Sequence, residues 1–370
     1  MKDLSERMAV FVPSMIGGGA ERMALNLAGG MAEKGYDVDL VLARAEGPYL
    51  AEVPESVRVI DLKASRTLTS LPGLARYLQR ERPQAMLSIL GHANLIALWA
   101  RRLAHVPTRM VVSVRNTLSR SAQRSPNLRM RLMLNLVRRF YPWADGIVSV
   151  SKGVADDLSQ VAGIARGRIQ VIYNPIVTPA LQVKARASLN HPWFTKGQAP
   201  VVLSVGRLTA TNQKDFPSLI KAFAQVRSRR PARLMILGEG EQRAKLEAMV
   251  KQLGLERDVN LPGFVANPYP YMTRASVFVL SSRWEGLPGV LIEGLYCGAP
   301  LVATDCPSGP REILKDGQYG QLVPVGDSNA LARAIEISLD GNTPSPPAES
   351  WHAYELEAVV SQYVSLLSGT

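Results

Sequence analysis

Cysteine is nearly missing from this sequence. Cys297 and Cys306 are the two in 370 residues, too few for a disulfide framework and without the C-x-x-C spacing of a metal site. That excludes a disulfide-stapled scaffold and suits a reducing, cytoplasmic setting. Long apolar runs are missing as well. The longest near-apolar stretch, residues 85–100 "AMLSILGHANLIALWA", is interrupted by His92 and Asn94. It falls short of the roughly 20 residues that span a bilayer, so no transmembrane helix is expected. Near the start, the apolar run in "MKDLSERMAVFVPSMIGGGAER" is preceded by acids and ended by a glycine turn. Neither flank belongs to a secretory signal, and the run reads as a first buried strand. Low-complexity sequence is confined to "NTPSPPAES" near the end. The rest is expected to fold.

Acid is absent where base is dense. Between Glu81 and Asp145 there is no Asp or Glu, but there are eleven arginines, from Arg82 to Arg139. The whole net charge of +12 lies in residues 1–186, which hold 26 Lys and Arg against 14 Asp and Glu, while residues 187–370 balance at 17 and 17. Such a surface calls for an anionic partner.

What is present is an alternation of short β-branched runs and amphipathic stretches, and it occurs twice. "MAVFVPS", "DVDLVLA", "AMLSIL", "RMVVSV", "GIVSVS" and "IQVIYNP" read as strands of the first half. "IVTPALQVKARASLNHPWFTKGQAP" reads as an irregular linker, after which "VVLSVGRL", "ARLMILGEG", "VNLPGF", "SVFVLSS" and "PLVATD" restart the pattern. The expected fold class is α/β, with two Rossmann-like doubly wound domains facing across a cleft. The first would span residues 1–185 and the second 186–351. A terminal helix at about 352–370, with Tyr354, Leu356, Val359, Val360, Tyr363, Val364 and Leu367 on one face, would pack back onto the first.

The chemistry concentrates in "SRWEGLPGVLIEGLYCGAPLVATDCPSGPREIL". Glu285 follows a strand and Glu293 sits inside the helix that Pro288 opens. Between them lie the free N–H groups of a helix N-terminus, which favour an anion such as a diphosphate. Hydroxyl groups at both ends and a diphosphate in the middle describe a nucleotide sugar. Two acids eight apart are more often solvated residues around a turn. "VGRLTATNQKDF" sharpens the signal, because it places Arg207 and Lys214 at the end of another strand of the same half, where two cations can clamp phosphate oxygens.

The strings "VGRL…QKDF", "LMILGEGEQRAKLE", "VNLPGFVANPYPYM" and the E-x7-E element "EGLPGVLIE" resemble the nucleotide-binding domain of the retaining, sugar-nucleotide-dependent glycosyltransferases of GT-B fold (glycosyl transferases group 1, family 4 type). "GGGAERMALNLAGGMAEKGYDVDLVL" resembles that family's N-terminal glycine loop, so the likeness covers nearly the whole chain. The resemblance implies that Arg207 and Lys214 neutralise the donor diphosphate, that Glu293 holds the ribose hydroxyls, and that Glu285 stands against the donor sugar. It implies phosphate contacts at Gly286, Leu287 and Gly289, a base contact through the backbone at Val265, and close ligand approach at Gly17, Gly18 and Gly19. His92 is weighed evenly between an active-site and a structural role. Asn94, Arg115 and Asn116 would face the acceptor; many relatives carry histidine at the position of Arg115.

One departure is the Arg207-to-Lys214 interval, about two residues longer than the resemblance suggests, with "TATN" as the insertion. Members of the family need no metal, and the sequence is read as lacking a D-x-D pair of the kind that bridges Mg²⁺ to a diphosphate; Arg207 and Lys214 would take that role. No cofactor is expected beyond the nucleotide sugar donor, UDP-linked by family habit. The expected acceptor is a glycan, carried on a lipid diphosphate. The arginine-rich run "RNTLSRSAQRSPNLRMRLMLNLVRRFYPWA", with Leu128, Leu132, Leu136 and Phe140 four apart beside Arg124, Arg131, Arg138 and Arg139, reads as a core-facing helix with a basic outer face, or as a dock for an anionic membrane surface. Two alternatives stand beside transfer: epimerisation or hydrolysis of the sugar nucleotide on the same fold, and, more remotely, nucleic-acid binding by the arginines, for which the run has no known module and few aromatics.

Overall fold

The computed structural model describes residues 7–120, 128–344 and 346–369, without the side chains of residues 128–130. The chain divides into two units, residues 1–176 with 353–370, and residues 177–352.

The first unit is built on a seven-stranded sheet, ordered β3-β2-β1-β4-β5-β6-β7. Its strands are β1 Met8–Val12, β2 Val38–Leu42, β3 Val57–Asp61, β4 Ala85–Ile89, β5 Arg109–Val114, β6 Gly146–Ser149 and β7 Ile169–Val171, all paired in parallel. β1, β2 and β4 are buried at every residue, as parallel strands covered on both faces must be. β3 is an edge strand with three exposed residues in five, and its polar alternation hid it from the sequence reading. Helix Leu356–Ser368 belongs to this unit: Val359, Val360, Tyr363 and Leu367 are buried in one core with Met23, Leu27 and Met31 of helix Gly19–Glu33. Tyr354 precedes that helix, in a short 3-10 turn.

The second unit has a six-stranded parallel sheet, ordered β10-β9-β8-β11-β12-β13. The strands are β8 Val201–Val205, β9 Arg233–Leu237, β10 Val259–Gly263, β11 Val277–Leu280, β12 Leu301–Thr304 and β13 Gln321–Val323. Strand order reverses between β8 and β11, so the loops leaving their carboxyl ends lie side by side. That is where an open α/β sheet binds ligands.

The division falls after Ile176 rather than at residue 185, because the stretch read as a linker is structured. Thr178 caps helix Pro179–Ala185, accepting from the Leu181 N–H at 3.1 Å. Further on, the His191 ring packs edge-on against Trp193, Phe194 and Tyr271, which fixes this segment to the second unit.

Candidate active site

At the carboxyl ends of β8 and β11 two loops are stitched together. The Arg283 N–H donates to the Gln213 carbonyl at 2.8 Å, and Ser281 Oγ donates to the Lys214 carbonyl at 2.6 Å. Asp215, nearly fully buried, accepts from Asn212 Nδ2 at 3.1 Å, Ser218 Oγ at 2.9 Å and Arg283 Nε at 2.9 Å. The sequence reading missed Asn212, Asp215 and Arg283. The signal for them was an Asn three residues before an Asp at a helix start, a frequent turn-fastening pattern. The extra residues of "TATN" are taken up in a turn closed by the Asn212 N–H to the Thr209 carbonyl at 3.0 Å, with Asn212 at a left-handed φ of 55°.

The loop therefore still delivers Lys214. Its Nζ stands 2.8 Å from Glu285 Oε1, and the same oxygen accepts from Ser282 Oγ at 2.6 Å. Gln213 Nε2 donates to the Trp284 carbonyl at 3.1 Å and reaches Glu285 Oε2 at 3.4 Å. Glu285 is only 8% exposed and Lys214 17%, so this is a mostly desolvated pair whose partners are fixed by further hydrogen bonds. Gly206 opens the track for the lysine stem: a Cβ there would lie 3.1 Å from both Cγ and Cε of Lys214. Arg207, next in sequence, is exposed and makes no side-chain hydrogen bond or ion pair among the described residues. It stands ready for an anion.

Helix Gly289–Tyr296 begins one residue after Pro288, which is its N-cap rather than its first residue. Its leading N–H groups are those of Gly289 and Val290, which have no carbonyl one turn earlier to meet. Leu287 and Gly286 are buried just before it, and the Gly286 carbonyl accepts from Ser308 Oγ at 2.7 Å. Inside the helix, burial pushes the Glu293 carboxyl up to about 7, against the charge of Lys214 and a hydrogen bond from Tyr269, which favour the ionised form. Cys306, which feels the charges of Glu285 and Lys214, is pushed up to about 12 by its own burial and is an inert thiol. Val265 is half-buried after β10, beside Phe264, which is 80% exposed.

In the first unit the expected residues separate. Asn94 is fully buried in helix Gly91–Ala104, with Nδ2 donating to the Ser113 carbonyl at 2.9 Å and to the Tyr141 hydroxyl at 3.1 Å. It fastens that helix to β5 and is withdrawn from any acceptor. His92, in the first turn of the same helix, is exposed, although partial enclosure of its ring holds it below the usual imidazole value. Asn116 is exposed after β5, and Arg115 beside it is half-buried. Gly18 is the N-cap of helix Gly19–Glu33, and a Cβ there would meet Glu21 Oε2 at 2.6 Å. The glycine thus lets the chain's own carboxylate fold over this helix start, where the sequence reading expected close approach of a ligand at Gly17, Gly18 and Gly19.

Among the described residues no group of three His, Cys, Asp or Glu could hold a metal, and no helix is long and apolar enough to cross a membrane. The sequence does contain one D-x-D, Asp37-Val38-Asp39, which the sequence reading passed over. Asp39 is fully engaged by Arg58 at 2.7 and 2.8 Å and by the Tyr77 hydroxyl at 2.6 Å, and Asp37 stands near Arg7. It is a structural network at the start of β2. Of the basic helix, Arg124 lies outside the described residues, as does the segment before it back to residue 121. Among the described side chains of Leu128–Phe140 the buried one is Val137, while Leu132 is 56% exposed, so the four-residue stripe does not face the core throughout.

Two parallel sheets of seven and six strands, the second with ligand-suited loops at its switch point, have the GT-B architecture, and the chain belongs to its glycosyltransferases. Residues 199–340 match the family model "Glycosyl transferases group 1" and residues 17–178 match "Glycosyltransferase Family 4". The chain is 32% identical, over 90% of its own length and 90% of the relative's, to the N-acetylgalactosamine-N,N'-diacetylbacillosaminyl-diphospho-undecaprenol 4-alpha-N-acetylgalactosaminyltransferase of Campylobacter jejuni. It is 29% identical, over 95% and 96%, to the lipopolysaccharide core biosynthesis glycosyltransferase LpsE of Rhizobium meliloti. Among solved structures, HepE of Anabaena in complex with UDP shares the fold at a TM-score of 0.77, with 22% identity, covering 98% of this chain and all of that one. The expected fold class and enzyme class are thereby established.

Proposed function

We propose that this glycosyltransferase moves a hexose or N-acetylhexosamine from a UDP-sugar to a lipid-diphosphate-linked glycan, with retention of anomeric configuration and without a metal, in cell-surface polysaccharide or glycoconjugate assembly. The observation that carries the donor half is the meeting of Lys214 with Glu285 at the switch point, beside the uncommitted Arg207 and the start of helix Gly289–Tyr296. In this reading unit two holds the donor and unit one the acceptor. Lys214 would leave Glu285 for the diphosphate, and together with Arg207 and the Gly289 N–H would stabilise the charge that develops as the sugar–phosphate bond breaks. Glu285, released from the lysine, would accept from donor-sugar hydroxyls, while Glu293 would hold the ribose. The lipid-diphosphate acceptor and the UDP donor draw on what the Campylobacter relative is named for and on the UDP held by HepE.

The test is transfer in EDTA from a panel of UDP-, GDP-, ADP- and TDP-sugars to a polyprenyl-diphosphate-linked glycan, with the product's anomeric coupling read by NMR. UDP-dependent transfer with the donor's configuration is expected. Inversion, or transfer only after Mg²⁺ is restored, would refute the corresponding part, and free sugar or an epimer formed without acceptor would favour the hydrolase or epimerase alternative.

We also place the enzyme at the cytoplasmic face of the membrane, as a peripheral protein. Helix Leu128–Phe140 exposes Leu132 amid Arg131, Arg138 and Arg139, and each basic residue near an anionic surface contributes about 1 kcal/mol. Co-sedimentation with vesicles containing phosphatidylglycerol is expected and is lost at high salt; replacing Arg131, Arg138 and Arg139 together by glutamine should reduce it about tenfold or more. Equal sedimentation with neutral vesicles would count against the placement.

A further inference from the structure

At the carboxyl end of β5 stands Arg115, a part-buried arginine without an acidic partner. Arg7 pairs with Glu81 at 2.8 Å, Arg227 with Asp258 at 2.8 Å and Arg101 with Asp145, while Arg109 donates to the Leu366 carbonyl at 2.9 Å and Arg233 lies over the Trp193 ring. Arg115 has no ion pair or side-chain hydrogen bond among the described residues, and its Nη1 is buried without a partner. Burial is deep enough to depress this guanidinium to about 10. A desolvated, unpaired cation is expensive, and one that persists in a folded chain points to a partner from outside.

The surroundings are built to match. The Ser113 Oγ and the Tyr363 hydroxyl, both fully buried, are neighbours, and the Arg115 charge is felt at Tyr363. Two buried hydroxyls thus lie within electrostatic reach of an unpaired cation. The acid within electrostatic reach is Glu21, whose carboxylate is folded over Gly18 at the start of its own helix and forms no ion pair with Arg115. No other acid is supplied locally, since the sequence has none between Glu81 and Asp145. Neutral sugar hydroxyls would satisfy hydrogen bonds but leave the charge uncompensated. A phosphate oxygen does both.

We propose that Arg115, with Ser113 and Tyr363 beneath it, forms an anion site in the first unit that takes the diphosphate of a polyprenyl-diphosphate acceptor. The ligand class rests on the donor and acceptor roles proposed above; the site itself rests on the unpaired guanidinium. The helix carrying Tyr363 would thereby be part of substrate recognition as well as of the core. The nucleotide's own diphosphate has the same chemistry, so the test must separate the two sources.

Calorimetric titration of the full chain with farnesyl diphosphate, farnesol and UDP does so. Arg115→Gln should weaken farnesyl diphosphate about tenfold or more while leaving farnesol and UDP unchanged, the loss expected for a charge-assisted contact. Arg115→Lys should recover part of it. Unchanged farnesyl diphosphate binding overturns the proposal, and so does a loss that falls on UDP instead. Should Arg115→Gln fail to fold, Tyr363→Phe removes one donor without opening a cavity and should weaken farnesyl diphosphate alone; if it does not, the hydroxyl arm is wrong. Wild-type chain that binds farnesyl diphosphate through Arg115 but does not bind UDP would refute the donor reading and leave this site standing.

Discussion

Lys214→Ala is expected to lower transfer by roughly two to three orders of magnitude and, at the same time, to destabilise the second unit by about 3–5 kcal/mol. Both effects come from one atom. Nζ neutralises a carboxylate that is 8% exposed, and its removal strands that charge among Ser282 and Gln213 with no cation in contact. The double substitution Lys214→Met with Glu285→Gln removes both charges and keeps the volume, so the melting transition should return toward wild type while transfer stays lost. Chemical denaturation followed at the second unit, with transfer assayed in parallel, measures both arms. A Lys214→Ala protein as stable as wild type would mean that the pair is solvated rather than buried, and restored transfer in the double variant would deny Lys214 a part in catalysis.

Much of this arrangement was legible beforehand because its parts obey short-range rules. β1, β4, β8 and β11 are apolar runs bounded by turn residues, and the parallel order follows from their alternation with helices, so loops after strands were bound to meet at a switch point. The E-x7-E spacing placed one acid before a helix and one inside it. What the sequence could not convey was commitment of side chains to each other. Nothing local distinguishes Asn94, which ties a helix to Ser113, from Asn116, which faces solvent. Gly18 read as room for a ligand, whereas the space is taken by Glu21, three residues on. The D-x-D at Asp37 and Asp39 becomes a structural pair through Arg58 and Tyr77, partners far along the chain. Such choices depend on which distant groups arrive, and they are decided by packing.

Glu293→Gln should stabilise the second unit at pH 8 and leave it unchanged below pH 4.5, while impairing nucleotide binding. The folded chain holds the Glu293 proton up to about 7, whereas an unfolded chain releases it near the ordinary value of 4.5. Between these values the folded state binds a proton that the unfolded state has lost, so this group's contribution falls as pH rises from 4.5 through 7. Above 7 the ionised, enclosed carboxylate costs about 3.5 kcal/mol, from a shift of that size at about 1.4 kcal/mol per unit. Glutamine has the shape of the neutral acid and no charge to bury, and its carbonyl can still accept from the Tyr269 hydroxyl. Denaturation midpoints should therefore diverge from wild type as pH increases, and the gap should close in acid. Nucleotide affinity should move the other way: in wild type it rises through pH 7 as the carboxylate forms and accepts the ribose hydroxyls, and in Glu293→Gln it is weaker and flat. A glutamine protein less stable than wild type at pH 8 would show that the carboxylate is a net structural asset. The expected pattern, stability gained where binding is lost, is that of a residue kept for its ligand rather than for the fold.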